Sequence, residues 1–172
     1  MSTLAALQEA MVAFLQRQGI QALSAWPREG RGRWKEPLAV VAVKRVEGSP
    51  AGFGGYLGEV YDPVDRGWQE AYGQQVGVGF TLALYSPEKA GEEGCRLLLD
   101  RVVEALEREK PAGLTVEKWS MEETGFQEEN RMFCGRLQLQ CRGMLLAKAE
   151  ETGAFLGFEV KGGFLLDSNH ET

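Results

Sequence analysis

Histidine is all but missing from this sequence: the one copy, His170, lies in the polar carboxyl-terminal segment. Without a second imidazole in a patterned region, a histidine general base or a Ser-His-Asp type triad has no source. Cysteine is scarce as well. Cys95, Cys134 and Cys141 form neither a CxxC pair nor an even disulfide set, and their spacing matches no Cys/His zinc pattern. They read as reduced thiols buried within strongly patterned elements. No apolar stretch approaches the length of a membrane span. The start Met1-Ser2-Thr3-Leu4 lacks the basic flank and apolar run of a signal peptide. A protein that stays in the cytoplasm where it is made is the expectation, with no membrane partner.

Positive charge is also in deficit. Nineteen Lys and Arg stand against 25 Asp and Glu, a formal net charge of −6, which argues against nucleic acid as a specific ligand, because counterion release needs clustered bases. The one basic cluster, Arg28, Arg31, Arg33 and Lys35, is broken by Glu29, Gly30, Gly32 and Glu36 and reads as a solvated loop. The glycine-rich Gly52-Phe53-Gly54-Gly55 has no P-loop lysine, and Gly77-Val78-Gly79 does not sit between a strand and a helix as a dinucleotide fingerprint requires. Asp62 and Asp65 fall in an ordinary turn, and Glu122, Glu123, Glu128 and Glu129 form a solvated acidic run. Nothing is left to nominate as a catalytic residue, metal ligand or cofactor-binding group, so a non-enzymatic protein is expected.

What the sequence does have is patterning. At 172 residues it is long enough for one well-buried core and short for two. Leu4, Leu7, Met11, Phe14 and Leu15 recur at helical spacing after a capping Thr3, with Gln8, Glu9, Gln16 and Arg17 on the wet side and Gly19 as terminator. A short extended segment, residues 20–26, leads through the basic loop to a strand at 38–46. Residues 48–58, with five glycines and one proline, read as a long flexible excursion carrying Phe53 and Tyr56. A long strand follows from about Trp68 to Tyr85. Val76, Val78, Phe80, Leu82 and Leu84 point one way along it and Gly77, Gly79, Thr81 and Ala83 the other, so one face is bulky and one nearly bare. Ser86-Pro87-Glu88 reads as the start of a second helix whose stripe is Cys95, Leu98, Leu99, Val102 and Leu106, with Gly91 and Gly94 weakening its first turns so that the regular helix begins late.

A strand at 114–121, an acidic loop at 122–130 and a strictly alternating strand follow; in the last, Leu137, Leu139 and Cys141 oppose Arg136, Gln138, Gln140 and Arg142. The predicted fold is α+β: a mixed, mainly antiparallel sheet flanked by two main helices, with a long Gly-rich β excursion. Residues 1–147 form the domain. Residues 148–172 form a carboxyl-terminal extension in which two apolar runs, 155–160 and 164–166, make a small hairpin before a flexible end; it completes this sheet or adds strands to a partner.

The stretch Val76-Gly-Val-Gly-Phe-Thr-Leu-Ala-Leu-Tyr-Ser-Pro87, followed by Gly91-Glu-Glu-Gly-Cys95 and Arg101-Val-Val-Glu-Ala-Leu106, resembles the strand, Tyr-x-Pro and Gly-x-x-Gly-Cys helix of a known family. That family comprises the tail-terminator or tail-completion (minor tail) proteins of phages and of phage-like elements of Gram-positive bacteria. The similarity covers about residues 4–147. It implies a small sheet flanked by helices and a structural role in virion assembly. Subunits would form a ring, most simply a hexamer, that caps the tail tube beside tube and sheath proteins and meets the neck. It also implies the host cytoplasm during assembly and the tail or neck of the finished particle. A neck, connector or baseplate adaptor is the alternative, and a small enzyme the more distant one. The aromatic residues nominated for interfaces are Phe53 and Tyr56 in the loop and Phe155, Phe158 and Phe164 in the terminal runs.

Overall fold

The computed structural model describes residues 3–26, 34–50, 53–149 and 155–160. Helix α1, Thr3–Arg17, buries Leu7, Met11, Phe14 and Leu15. It ends as the sequence predicts. Gly19 takes φ 73°, its N–H donates to Gln16 at 3.0 Å, and the Ile20 N–H reaches back to the Leu15 carbonyl at 3.0 Å, which satisfies the last-turn carbonyls. Gln8 and Gln16 are not simply wet. Gln8 Nε2 donates to the carbonyls of Ser24 at 2.6 Å and Val41 at 2.9 Å, and Gln16 Nε2 to Ala22 at 2.9 Å, tying the helix to the sheet.

The described residues form eight strands in the order β1 (Ala22–Leu23), β2 (Leu38–Pro50), β4 (Gly67–Pro87), β7 (Met132–Ala149), β5 (Thr115–Met121), with β3 (Tyr56–Asp62) beside β4 and with β6 (Gly125–Gln127) and β8 (Phe155–Val160) beside β7. Strand β1 (Ala22–Leu23) is parallel to β2 (Leu38–Pro50), and the other described pairings are antiparallel. The fold is α+β, as expected. Its backbone is β4 (Gly67–Pro87), hydrogen-bonded along most of its length to β2 on one side and to β7 (Met132–Ala149) on the other.

The Gly-rich excursion is shorter and more regular than the sequence suggested. Strand β2 runs on to Pro50, a single 3-10 turn spans Phe53–Gly55, and β3 (Tyr56–Asp62) resumes antiparallel to β4. Pro50 lies opposite Gln74 and Tyr56 opposite Tyr72. Strands β2 and β3 are therefore two segments of one long limb interrupted at the glycines.

Helix α2 covers Gly91–Arg108. The expected start at Ser86-Pro87-Glu88 is wrong: Ser86 and Pro87 belong to β4, the cap position is Ala90, and no side chain caps the helix. Pairing of Ser86 with Phe133 and of Pro87 with Met132 holds these residues in the sheet, and Gly91, at φ 67°, makes the turn that starts the helix. A 3-10 turn at Pro111–Gly113 leads to β5 (Thr115–Met121). The acidic segment taken as loop contains a short strand, β6 (Gly125–Gln127), recruited by backbone pairing to Met132, Phe133 and Cys134. Strand β7 runs through the boundary expected at residue 147, and β8 (Phe155–Val160) pairs antiparallel with it, Ala147 opposite Phe158. The second terminal run, with Phe164, lies outside the described residues.

Both helices lie on one face of the sheet. Leu7, Met11, Phe14 and Leu15 of α1 and Leu98 and Val102 of α2 share one cluster with Val76, Val78, Phe80, Leu82, Leu84, Leu137 and Leu139. Each fully buried side chain of this size contributes roughly 1.5–3 kcal/mol. A second cluster sits on the opposite face at the far end of β4. There Trp26 packs edge-on against Tyr85 at 4.6 Å and near Trp34 at 6.4 Å, over Leu38, Met132 and Cys134. The rest of that face carries no described covering element.

Candidate functional site

The three thiols are where the sequence put them, buried and free. Cys95 Sγ lies 3.3 Å from the Leu84 carbonyl. Burial pushes its pKa up to about 11 and that of Cys141 up to about 12; Cys134 is raised for the same reason. These are protonated, unreactive thiols at neutral pH. Asp62 does turn work: its Oδ1 accepts from the Val64 N–H at 2.7 Å and the Asp65 N–H at 3.3 Å, while Asp65 accepts from Gln69 at 3.0 Å. Glu122 accepts from Gln138 Nε2 at 2.7 Å. Among the described residues no three His, Cys, Asp or Glu side chains are grouped to hold a metal ion, and no helix is long and apolar enough to cross a membrane. Arg28, Arg31 and Arg33 lie outside the described residues.

Two surfaces stand out. The first is the ribbon made by β3 and the start of β4, an arm that extends past the end of the helix-covered sheet. Its tip turns at residues 63–66, with Arg66 at φ 50°. Tyr56 lies opposite Tyr72, Glu59 opposite Glu70 and Tyr61 opposite Trp68. The rings meet edge-on at 5.7 Å for Tyr56–Tyr72 and 5.6 Å for Tyr61–Trp68. Tyr72 Oη donates to Glu70 Oε2 at 2.6 Å, and that carboxylate holds the phenol above its usual pKa. One side of the arm thus reads aromatic pair, acidic pair, aromatic pair. Trp68 is 69% exposed, Val64 at the tip 86%, and Phe53 at the base is fully exposed. Paired aromatic rings hold such a ribbon together, yet their outer surfaces face solvent.

The second surface is the uncovered side of the sheet. Gly77, Gly79, Thr81 and Ala83 form a low strip down β4, flanked by the exposed Arg136, Gln138, Gln140 and Arg142 of β7. Arg142 Nη2 pairs with Glu117 at 2.6 Å, and Arg45 pairs with Glu47. Lys44, Lys118 and Arg136 have no carboxylate partner among the described residues. A shallow hollow of about 290 Å3 lies across the strip between Arg45, Gly79, Lys118 and Gln140.

Of the nominated interface residues, Phe53 and Tyr56 both lie at the base of the arm, Phe53 fully exposed. Phe155 and Phe158 fall on β8, at the far end of β7 from Met132. Sequence reasoning missed Tyr61, Trp68 and Tyr72. Their signal was present: aromatics placed almost symmetrically about the Asp62-Pro63-Val64-Asp65-Arg66-Gly67 turn. No protein-family model matches the chain, and no curated protein is similar to it in sequence.

Proposed function

We propose that this chain is a structural subunit of a phage-type tail that assembles with its own copies into a ring, caps the tail tube and joins it to the neck. The supporting observation is that each subunit carries two different unfilled surfaces, the aromatic face of the arm and the open glycine face of the sheet. A ring requires two unlike patches per subunit, whereas a two-fold dimer uses one patch twice. Exposed aromatics are the residue type that anchors protein interfaces, and an isolated two-stranded ribbon gains stability when a partner covers it. The Cys95 and Cys141 thiols are buried and held protonated, and Asp62 accepts the hydrogen bonds of its own turn. Tube, sheath and neck proteins are the further partners. A net charge of −6 would also keep packaged DNA from adhering to the lumen of the ring.

The test is genetic. Deleting the gene is expected to give tails of uncontrolled length or tails unattached to heads in electron micrographs. Tails of normal length joined to heads would defeat the proposal.

A further inference from the structure

The arm and the open face belong together. By the two-residue alternation along β4, Trp68, Glu70 and Tyr72 project to the side on which Val76, Val78 and Phe80 meet the helices, and Gly77 and Gly79 face the opposite side. The two surfaces therefore point in opposite directions from one sheet. Their charges are opposite too. Residues 56–72 hold four carboxylates against one guanidinium, half of the whole chain's formal −6. The rim of the open face has basic groups in excess, with Lys44, Lys118 and Arg136 lacking a carboxylate partner among the described residues. We infer that the aromatic and acidic face of the arm packs against the glycine strip and basic rim of the next copy of this chain, joining copies front to back.

Two further observations favour an external partner at these surfaces. Glu59 and Glu70 lie directly opposite each other between the two aromatic pairs, a like-charge arrangement that disfavours the isolated ribbon. A lysine or arginine from a neighbour entering between them would be held by both carboxylates and by the flanking rings. On the open face, the fold itself does not require glycine. A Cβ at Gly77 would come no closer than 3.9 Å to other atoms and one at Gly79 no closer than 3.4 Å, both ordinary contacts, and neither residue has positive φ. Glycine weakens a strand, so the bare strip answers to a neighbour's side chains at close range. Front-to-back stacking cannot be reciprocated by the same two copies; it continues to a third, and closes as a ring or extends as a filament.

The inference rests on the reading of the chain as a self-assembling subunit, but it is tested on the purified full-length chain alone, by sedimentation velocity over a concentration series. The wild-type chain is expected to associate. E59K/E70K keeps the like-charge opposition inside the arm while giving up the exposed Tyr72–Glu70 hydrogen bond, and K44E/K118E reverses the receiving rim. Each alone should associate roughly a hundredfold more weakly, whereas an equimolar mixture should recover association, because each then offers a surface the other complements. Gly77→Thr with Gly79→Thr should abolish association while leaving the thermal midpoint unchanged or higher. A wild-type chain that stays monomeric at every concentration, a reversed chain that associates like wild type, or a mixture that stays dispersed would each overturn the inference. None of these outcomes bears on the gene-deletion phenotype, so the proposed tail function can survive the loss of this interface.

Discussion

Strand β4 passes through two regions that obey one rule and meet different fates. Between Val76 and Leu84 every second residue is 0–1% exposed beneath the helices. Between Trp68 and Tyr72 the same alternation continues, but Trp68 is 69% and Tyr72 46% exposed. Nothing in the strand's own geometry changes. What changes is whether the chain supplies its own cover, as α1 and α2 do for the first region. Periodicity determines which residues share a face, and covering elements determine whether that face becomes core or contact surface.

The sharpest way to break the comparison is to truncate one large side chain in each region. Phe80→Ala should cost about 3–5 kcal/mol, because Phe80 is fully enclosed by the cluster of both helices. Trp68→Ala should change the stability of the isolated chain by no more than about 0.5 kcal/mol, since most of the indole is already in water. Urea denaturation of the two variants measures both. Comparable losses would mean that the arm is part of the cooperative core and not a surface awaiting a partner.

A smaller effect tests how tightly the covered region is closed. Gly94 sits in the first turns of α2, where alanine would raise helix propensity by about 1 kcal/mol. A Cβ there would fall 1.9 Å from Ser86 Oγ and 2.9 Å from Ser86 Cβ. Overpacking should win, so Gly94→Ala is expected to destabilise by about 1–3 kcal/mol, read as a lowered thermal midpoint. No glycine of the arm's aromatic face is constrained in this way.

Much of this contrast was legible in the sequence. The dry and wet sides of β4 and β7, the glycine that ends α1 and the turn at Asp62 each depend on residues within a few positions of one another, and local rules place them. The start of α2 was misplaced because Ser86-Pro87-Glu88 fits a helix cap locally while long-range pairing to Phe133 and Met132 keeps Ser86 and Pro87 in the sheet. Strand β6 was hidden for the same reason: its acidic flanks look like loop until β7 offers a free edge. At the candidate site, Phe53 and Tyr56 were visible as loop aromatics. Tyr61, Trp68 and Tyr72 were not singled out, because their partnership exists only once the limbs are aligned about the turn.

Cys95 and Cys141 lie in the covered region, and this gives the two regions different responses to alkali. The folded pKa values of Cys95 and Cys141, about 11 and about 12, stand above the ordinary thiol value of 9.0. The stability these neutral thiols contribute is therefore fully present below about pH 9 and is lost as pH rises through 11 and 12. The thermal midpoint should fall over that window, and less steeply in a Cys95→Ala/Cys141→Ala chain. Equal slopes would show that the thiols do not sense the covering helices.

The last expected effect is a gain. The Ser86 hydroxyl is fully buried and has no hydrogen-bond partner among the described residues, so it has given up its hydration without replacement. Ser86→Ala should stabilise the chain by about 1 kcal/mol, against the usual direction of buried-site truncations. The same oxygen is what a Cβ at Gly94 would strike first, so the two positions must couple. In a Ser86→Ala/Gly94→Ala double variant the 1.9 Å approach disappears, leaving the 2.9 Å contact with the residue 86 Cβ and the 3.1 Å contact with Ala90 Cβ. The double variant should then be more stable than the sum of the single effects, by a coupling of about 0.5–3 kcal/mol. Additive behaviour would mean that α2 can shift off the sheet, and that the covered half of β4 is held less firmly than its buried residues imply.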